Sequence, residues 1–545
     1  MEKMILYKIL HFKGHWLALL ALVLAVTDYV AQHLLEAQLT QSAWDFVVRI
    51  EMQMAHAVCI GIWIAAALAI ISKTYYSDKT GGRNLWLDMR DYHRTIFELI
   101  RVFSSADPYR MDKDELSVQS WKTAVGIILG HKGPRLIYRP TWAYEGDGAN
   151  FALFALPGAG KTTCQIIPSA LCFGGSVLAI DIKGDILNAT RQERRIKIFA
   201  PDDPDYSEHF NPLKGIANMR PSERKTFIEQ IAMTLIPEEH GQDSKYFIDG
   251  ARDLFTAISI YLISSNASIT LPEIARNILT GNAIDWIEKI RDSDCIDARE
   301  YSDSYYGTNE TNVSGCYNEA VKRIRPFASG ELAEILSDNG RCISTKTLDD
   351  GYDIYIEIPQ HKIQVLAPVT TLIVQKFMTE FEKRKDRSSG TTNQPVLFLL
   401  DEVAQLNLDG DTLSAALSTL RSKSVSIFLA MQSIGQLRKK YGEDCAREII
   451  DTCAYISVMS AQDPESRAFF EKIFGTKRVL KTTSNEGYGG SSWWSGNIQS
   501  GSSSRGAQEE REPVIRAEDF GNLNDKVAIL ANGKHILADK CKWYE

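Results

Sequence analysis

The chain has 545 residues, with 44% apolar and 24% charged side chains, which excludes a disordered polymer and is too long for one ordinary domain. Its net charge of -8 excludes a protein that coats nucleic acid by overall electrostatics, so any nucleic-acid contact must be local. The nine cysteines lack the paired spacing of a zinc site, which argues for reduced thiols and a mainly cytoplasmic chain.

Two apolar stretches, residues 16–35 and 55–72, open the chain, each close to the roughly 20 residues a helix needs to cross a bilayer. Lys3, Lys8 and Lys13 precede the first, and Lys73, Lys79, Arg83 and Arg90 follow the second. The loop between them carries Glu36, Asp45, Glu51 and Arg49. By the positive-inside bias, residues 1–75 form a transmembrane hairpin with both ends in the cytoplasm. Asp28 lies within the first span, where a carboxylate faces another helix, a polar cavity or the interface. Residues 76–147 read as a cytoplasmic linker and the start of a nucleotide-binding domain.

Residues 148–217 alternate apolar runs (FALFA, SVLAID, IKIFA) with helical segments, the pattern of a parallel sheet covered on both faces. After the first run comes LPGAGKTT, then the helical TTCQIIPSALC, which is the setting of a phosphate-binding loop. Gly158 and Gly160 let the backbone curl so that its amides meet phosphate oxygens, and the helix N-terminus adds partial positive charge. Pro157, Gly158, Ala159, Gly160, Lys161, Thr162 and Thr163 are the candidate nucleotide contacts. Lys161 would reach the β and γ phosphates, and the Thr162 hydroxyl would bind Mg²⁺. Ala155 stands where the strict motif has its first glycine.

Strands stop over residues 218–344, where helical periodicity takes over, predicting an all-α domain inserted into the α/β domain. They resume over 345–545 with DIYIEI, PVLFLLD, VSIFLAM, AYISVMS and VAILA. PVLFLLDE ends in Asp401 and Glu402, which a parallel strand delivers to the sheet edge that carries the phosphate loop. Asp401 is the candidate Mg²⁺ carboxylate, and Glu402 the group that orients or deprotonates the attacking water. VSIFLAM ends in Gln432 at the same edge, where an amide could sense the γ-phosphate. Arg421 closes the helical segment TLSAALSTLR. The Gly/Ser-rich stretch 487–506, with Trp493 and Trp494, reads as a mobile loop.

GAGKTT, IIPSAL, SVLAIDIKGDI, FAPDDP, FNPL, LLDEVAQL, ALSTLRSKSVSIFLAMQSIGQL, MSAQDPES and REPVIRAEDF together resemble the coupling proteins of type IV secretion and conjugation, the TraG/TraD type. The resemblance implies a RecA-like P-loop ATPase using ATP and Mg²⁺, assembled as a homo-hexamer and anchored in the bacterial inner membrane. Such a ring delivers single-stranded DNA with its relaxase, or effector and adaptor proteins, to the secretion channel. It places Lys161, Thr162, Asp401, Glu402, Arg421 and Gln432 on nucleotide-site positions, with Arg421 an arginine finger acting across a subunit boundary. The IDIKGD element (Asp181, Lys183, Gly184, Asp185) also matches, with no chemistry assigned; the plainer reading is a turn with Lys183 salt-bridged. Alternatives are a docking receptor that nucleotide merely switches, or a double-stranded DNA translocase of the FtsK/HerA kind. No LSGGQ-like element precedes Asp401, which speaks against an ABC transporter ATPase.

Overall fold

The computed structural model describes residues 110–111, 120–140, 148–237, 242–386, 393–406, 408–486 and 503–544. The expected membrane hairpin lies outside these residues. Among the described residues, no helix is long and apolar enough to cross a membrane.

In chain order the strands are β1 (Gly126–Lys132), β2 (Arg135–Pro140), β3 (Asn150–Phe154), β4 (Ser176–Asp181) and β5 (Ile196–Phe199). After a helical region come β6 (Asp353–Glu357), β7 (Val396–Leu400), β8 (Val425–Met431) and β9 (Tyr455–Val458). The last four are β10 (Thr476–Glu486), β11 (Ser503–Pro513), β12 (Lys526–Ala531) and β13 (Lys534–Asp539). Among the described residues, eleven of them form one sheet in the order β2-β1-β13-β12-β9-β3-β8-β7-β4-β6-β5. From β9 to β5 every pairing is parallel, so this part is the expected α/β sheet. The other four strands extend it antiparallel beyond β9.

The apolar runs are continuous because both faces are covered. Along β8, Val425, Ile427, Leu429 and Met431 enter one buried cluster, and Phe428 and Ala430 enter the other. In β7, Val396, Phe398 and Leu400 face the first cluster, and Leu397 and Leu399 the second. This alternation is the two-residue period of a pleated strand.

Between β5 and β6 the described residues form helices, the longest being Gln242–Ser265. Their apolar residues, such as Ile248, Phe255, Ile274 and Tyr317, belong to the same buried cluster as one face of the sheet. The helical region thus packs its core continuously onto the sheet, with the helix Ile363–Glu382 contributing Val369, Ile373 and Phe377.

The expectation of a loop over 487–506 needs correction at its end. Ser503, Ser504, Arg505 and Gly506 belong to β11 and pair with Glu486, Asn485, Ser484 and Thr483. Backbone ladder bonds need no apolar side chains, so a Gly/Ser composition does not forbid a strand in a two-stranded ribbon. Trp493 and Trp494 lie outside the described residues.

Candidate nucleotide site

β3, β8 and β7 are neighbours and parallel, and their pairings set Phe154 beside Met431 and Leu400 beside Leu429. Their C-terminal ends therefore reach one edge together. The phosphate loop follows β3, Gln432 follows β8, and Asp401 and Glu402 follow β7.

The loop takes its shape from two glycines in the left-handed region, Gly158 at φ +80° and Gly160 at φ +91°. Side chains rarely adopt that region, and glycine enters it freely. Ala155 has no positive φ; its N–H donates to the Met431 carbonyl at 3.0 Å, prolonging the β3–β8 ladder. A glycine is not needed there, which explains why the strict motif can be broken at this position. The Leu156 N–H donates to Ser460 Oγ at 3.0 Å, tying the loop entrance to the end of β9. The Cys164 N–H then donates to the Gly160 carbonyl at 2.8 Å, and a π-helical turn, Thr162–Ile166, runs into the helix Ile167–Cys172.

Lys161 lies against the acidic pair. Its ammonium is 2.8 Å from Asp401 Oδ1 and is also ion-paired with Glu402 Oε1. Burial works against this charge, but Asp401 and Glu402 outweigh it and hold Lys161 above its ordinary pKa. Burial pushes the Asp401 carboxyl upward, and the Lys161 ammonium opposes that shift. Glu402 stands at φ +55°, a left-handed conformation uncommon outside glycine and costing about 1 to 3 kcal/mol. Strain of this kind gathers at functional sites, and here the residue is 9% exposed. The Gln432 Nε2 donates to Glu402 Oε1 at 3.1 Å, fixing the carboxylate from the neighbouring strand.

The structure thus brings together Lys161, Asp401, Glu402 and Gln432, with Thr162 in the first turn of the helix that follows the loop. It does not bring Arg421 to them. Arg421 lies in the turn Leu420–Lys423 before β8, and its carbonyl accepts from the Gly148 N–H at 2.8 Å, just ahead of β3. That is the opposite edge of the sheet, about 20 Å away along a seven-residue strand at roughly 3.3 Å per residue.

The IDIKGD element is a turn organised by Asp181. Its Oδ2 accepts the Leu187 N–H at 2.8 Å, and Gly184 at φ +72° enters the helix Asp185–Thr190. Burial pushes the Asp181 carboxyl up to about 6, against the Leu187 and Lys183 backbone N–H groups. Lys183 is exposed and has no ion pair among the described residues, so the expected salt bridge is replaced by this carboxylate–backbone contact.

Sequence reasoning missed two contacts from the chain's end. Lys540 Nζ donates to the Ala159 carbonyl at 2.8 Å, and the Trp543 N–H donates to the Thr163 carbonyl at 3.1 Å. A signal was available for the strand that delivers them. The Asn532-Gly533 pair, with both φ positive, is the hairpin turn that makes β13 follow β12.

The arrangement fits a nucleotide with Mg²⁺. A curled loop with a lysine offers phosphate ligands, and one hydroxyl plus one carboxylate suits a hard cation that keeps waters and phosphate oxygens as its remaining ligands. Residues 109–545 match the family described as Type IV secretory system Conjugative DNA transfer. A probable conjugal transfer protein TraG of Sinorhizobium fredii is 25% identical over 419 residues, 72% of this chain and 62% of that protein. Protein VirD4 of Agrobacterium fabrum is 24% identical over 447 residues, 78% of this chain and 63% of that protein. This chain therefore spans somewhat over half the length of these relatives. The bacterial conjugative coupling protein TrwB (TrwBdeltaN70, unbound form) shares the fold at a TM-score of 0.58 and 14% identity, covering 78% of this chain and 90% of that one. TrwB in complex with ADP and Mg²⁺ gives a TM-score of 0.56 at 15% identity, over 73% and 85% of the two chains. With a family match running from residue 109 to 545, the chain belongs to the type IV secretory system conjugative DNA transfer family.

Proposed function

We propose that this chain is a coupling ATPase with a RecA-like core, one that binds ATP with Mg²⁺ and uses hydrolysis to deliver single-stranded DNA with its relaxase to a secretion channel. The observation that carries the proposal is the meeting of Lys161, Asp401, Glu402 and Gln432 beside the phosphate loop. Family membership and the TrwB complex with ADP and Mg²⁺ support it.

In this reading the amides curled by Gly158 and Gly160 cradle the phosphates, and Lys161 turns from the acidic pair toward the β and γ oxygens. Thr162 and Asp401 would hold Mg²⁺, whose charge stabilises the phosphoryl oxygens during transfer. Glu402 accepts a proton from the attacking water, and the Gln432 amide keeps its carboxylate in place. Arg421, at the opposite sheet edge of its own protomer, would act on a neighbour's nucleotide in a hexameric ring. Residues 1–75 would anchor that ring in the inner membrane with both ends in the cytoplasm.

ATP hydrolysis by the purified full chain, with and without single-stranded DNA, tests this function. Stimulation by single-stranded DNA is expected. A rate indifferent to any DNA would instead favour a docking receptor for effectors or adaptors, and stimulation by duplex alone a translocase of the FtsK/HerA kind.

A further inference from the structure

The phosphate loop is held from the far end of the chain. β13 ends at Asp539, and the next residue, Lys540, donates through Nζ to the Ala159 carbonyl at 2.8 Å and to the Asn524 carbonyl. The base of this lysine is itself fixed. Its N–H donates to the Asp525 carbonyl at 2.9 Å, and Cys541 beside it is buried with Ala124, Ile128 and Leu136. Two residues on, the Trp543 N–H holds the Thr163 carbonyl.

Ala159 stands between Gly158 and Gly160, both at positive φ. Turning over the peptide that joins Ala159 to Gly160 changes the Ala159 ψ and the Gly160 φ, and glycine crosses between left- and right-handed regions at little cost, so this peptide can turn over readily. That peptide is trans and planar, so its carbonyl and the Gly160 N–H leave from opposite sides. Turned over, it would withdraw an N–H from the phosphate side and present a carbonyl oxygen in its place, repelling an anion. A charge-assisted bond from an ammonium to the Ala159 carbonyl opposes that rotation.

We infer that Lys540 is a positioning residue of the nucleotide site, locking the Ala159–Gly160 peptide so that the Gly160 N–H stays turned toward the phosphates. This rests on the nucleotide-site reading above. The lysine comes from the antiparallel extension of the sheet, so this extension serves the loop as well as closing the fold.

The test measures binding of a fluorescent ATP analogue and amide hydrogen exchange on the full chain carrying Lys540→Met, Lys540→Arg or Lys161→Ala. Lys540→Met keeps the apolar stem and removes the charge; it should weaken binding roughly tenfold or more, the scale of a charge-assisted bond. Lys540→Arg, still a donor, should stay within about threefold of the parent. In Lys540→Met, exchange should rise at the amides of residues 158–163 and not in β3, β7 or β8. Parental affinity in Lys540→Met, no recovery in Lys540→Arg, or exchange rising throughout the sheet would each overturn the inference, the last marking Lys540 as a brace of the fold. If Lys161→Ala binds like the parent, the nucleotide-site reading itself fails, whatever Lys540 does.

Discussion

Replacing Gly158 and Gly160 separately by alanine tests whether the loop's curl is what makes it a phosphate cradle. Both residues sit at positive φ, where an L-residue costs about 1 to 2 kcal/mol. The added methyl groups meet different surroundings. At Gly158 nothing lies within 4 Å, so Gly158→Ala carries the backbone cost alone. At Gly160 the new carbon would stand 3.0 Å from Cys164 Sγ and 3.5 Å from Thr163 Oγ1. Cys164 is 2% exposed and packed in the core, so its sulfur yields only by disturbing its neighbours, adding about 1 kcal/mol or more. A loop that relaxes to escape the strain loses its amide cradle, and apparent affinity falls with the fraction still curled. Gly158→Ala should therefore weaken binding of a fluorescent ATP analogue by a factor of about 5 to 30, and Gly160→Ala by several-fold more. Adding Cys164→Ala to Gly160→Ala should narrow the gap to Gly158→Ala. Parental affinity in both glycine variants, or no narrowing on removal of the Cys164 sulfur, would refute the reasoning.

Two further outcomes follow from the same geometry. The Asp181 carboxyl is pushed up to about 6 by burial, from an ordinary 3.8, so between these values the folded state binds more protons than the unfolded one. Stability then falls as pH rises through this window and levels off above it; relative to Asp181→Asn, the parent should lose up to about 3 kcal/mol between pH 4 and 7. Denaturant unfolding at several pH values checks this, and parallel profiles for the two proteins would remove the assigned cause. For Arg421, mixing Arg421→Ala with Glu402→Gln, each inactive alone, should restore part of the ATPase activity, because one supplies an intact site and the other an intact finger. Absence of rescue in proven mixed rings would count against action across a subunit boundary.

Much of the site was legible because it depends on short-range patterning. FALFA, SVLAID, PVLFLLD and VSIFLAM became β3, β4, β7 and β8, and parallel strands carry whatever follows them to a common edge. That rule placed Lys161, Asp401, Glu402 and Gln432 together, and it also separates Arg421, which precedes its strand, from residues that follow theirs. Strand order across long sequence gaps was not legible. Nothing local tells β13 to pair with β1 on its other side, or Lys540 to reach Ala159. β10 and β11 escaped because TKRVLKTTSNE and SSRGAQEEREP lack the apolar alternation of a half-buried strand. The role of Asp181 was hidden for another reason: its partner is a backbone N–H, and a sequence shows only side chains.

The most direct test of nucleotide hydrolysis at this site is ATP binding and turnover measured side by side on the full chain carrying Glu402→Gln. Lys161, Thr162 and Asp401 remain in place, so the variant should bind ATP close to the parental affinity, while losing the proton acceptor should lower turnover by about 10² to 10⁴. Turnover at the parental rate, with binding intact, would contradict the assignment of Glu402 and with it the chemistry placed at the ends of β3, β7 and β8.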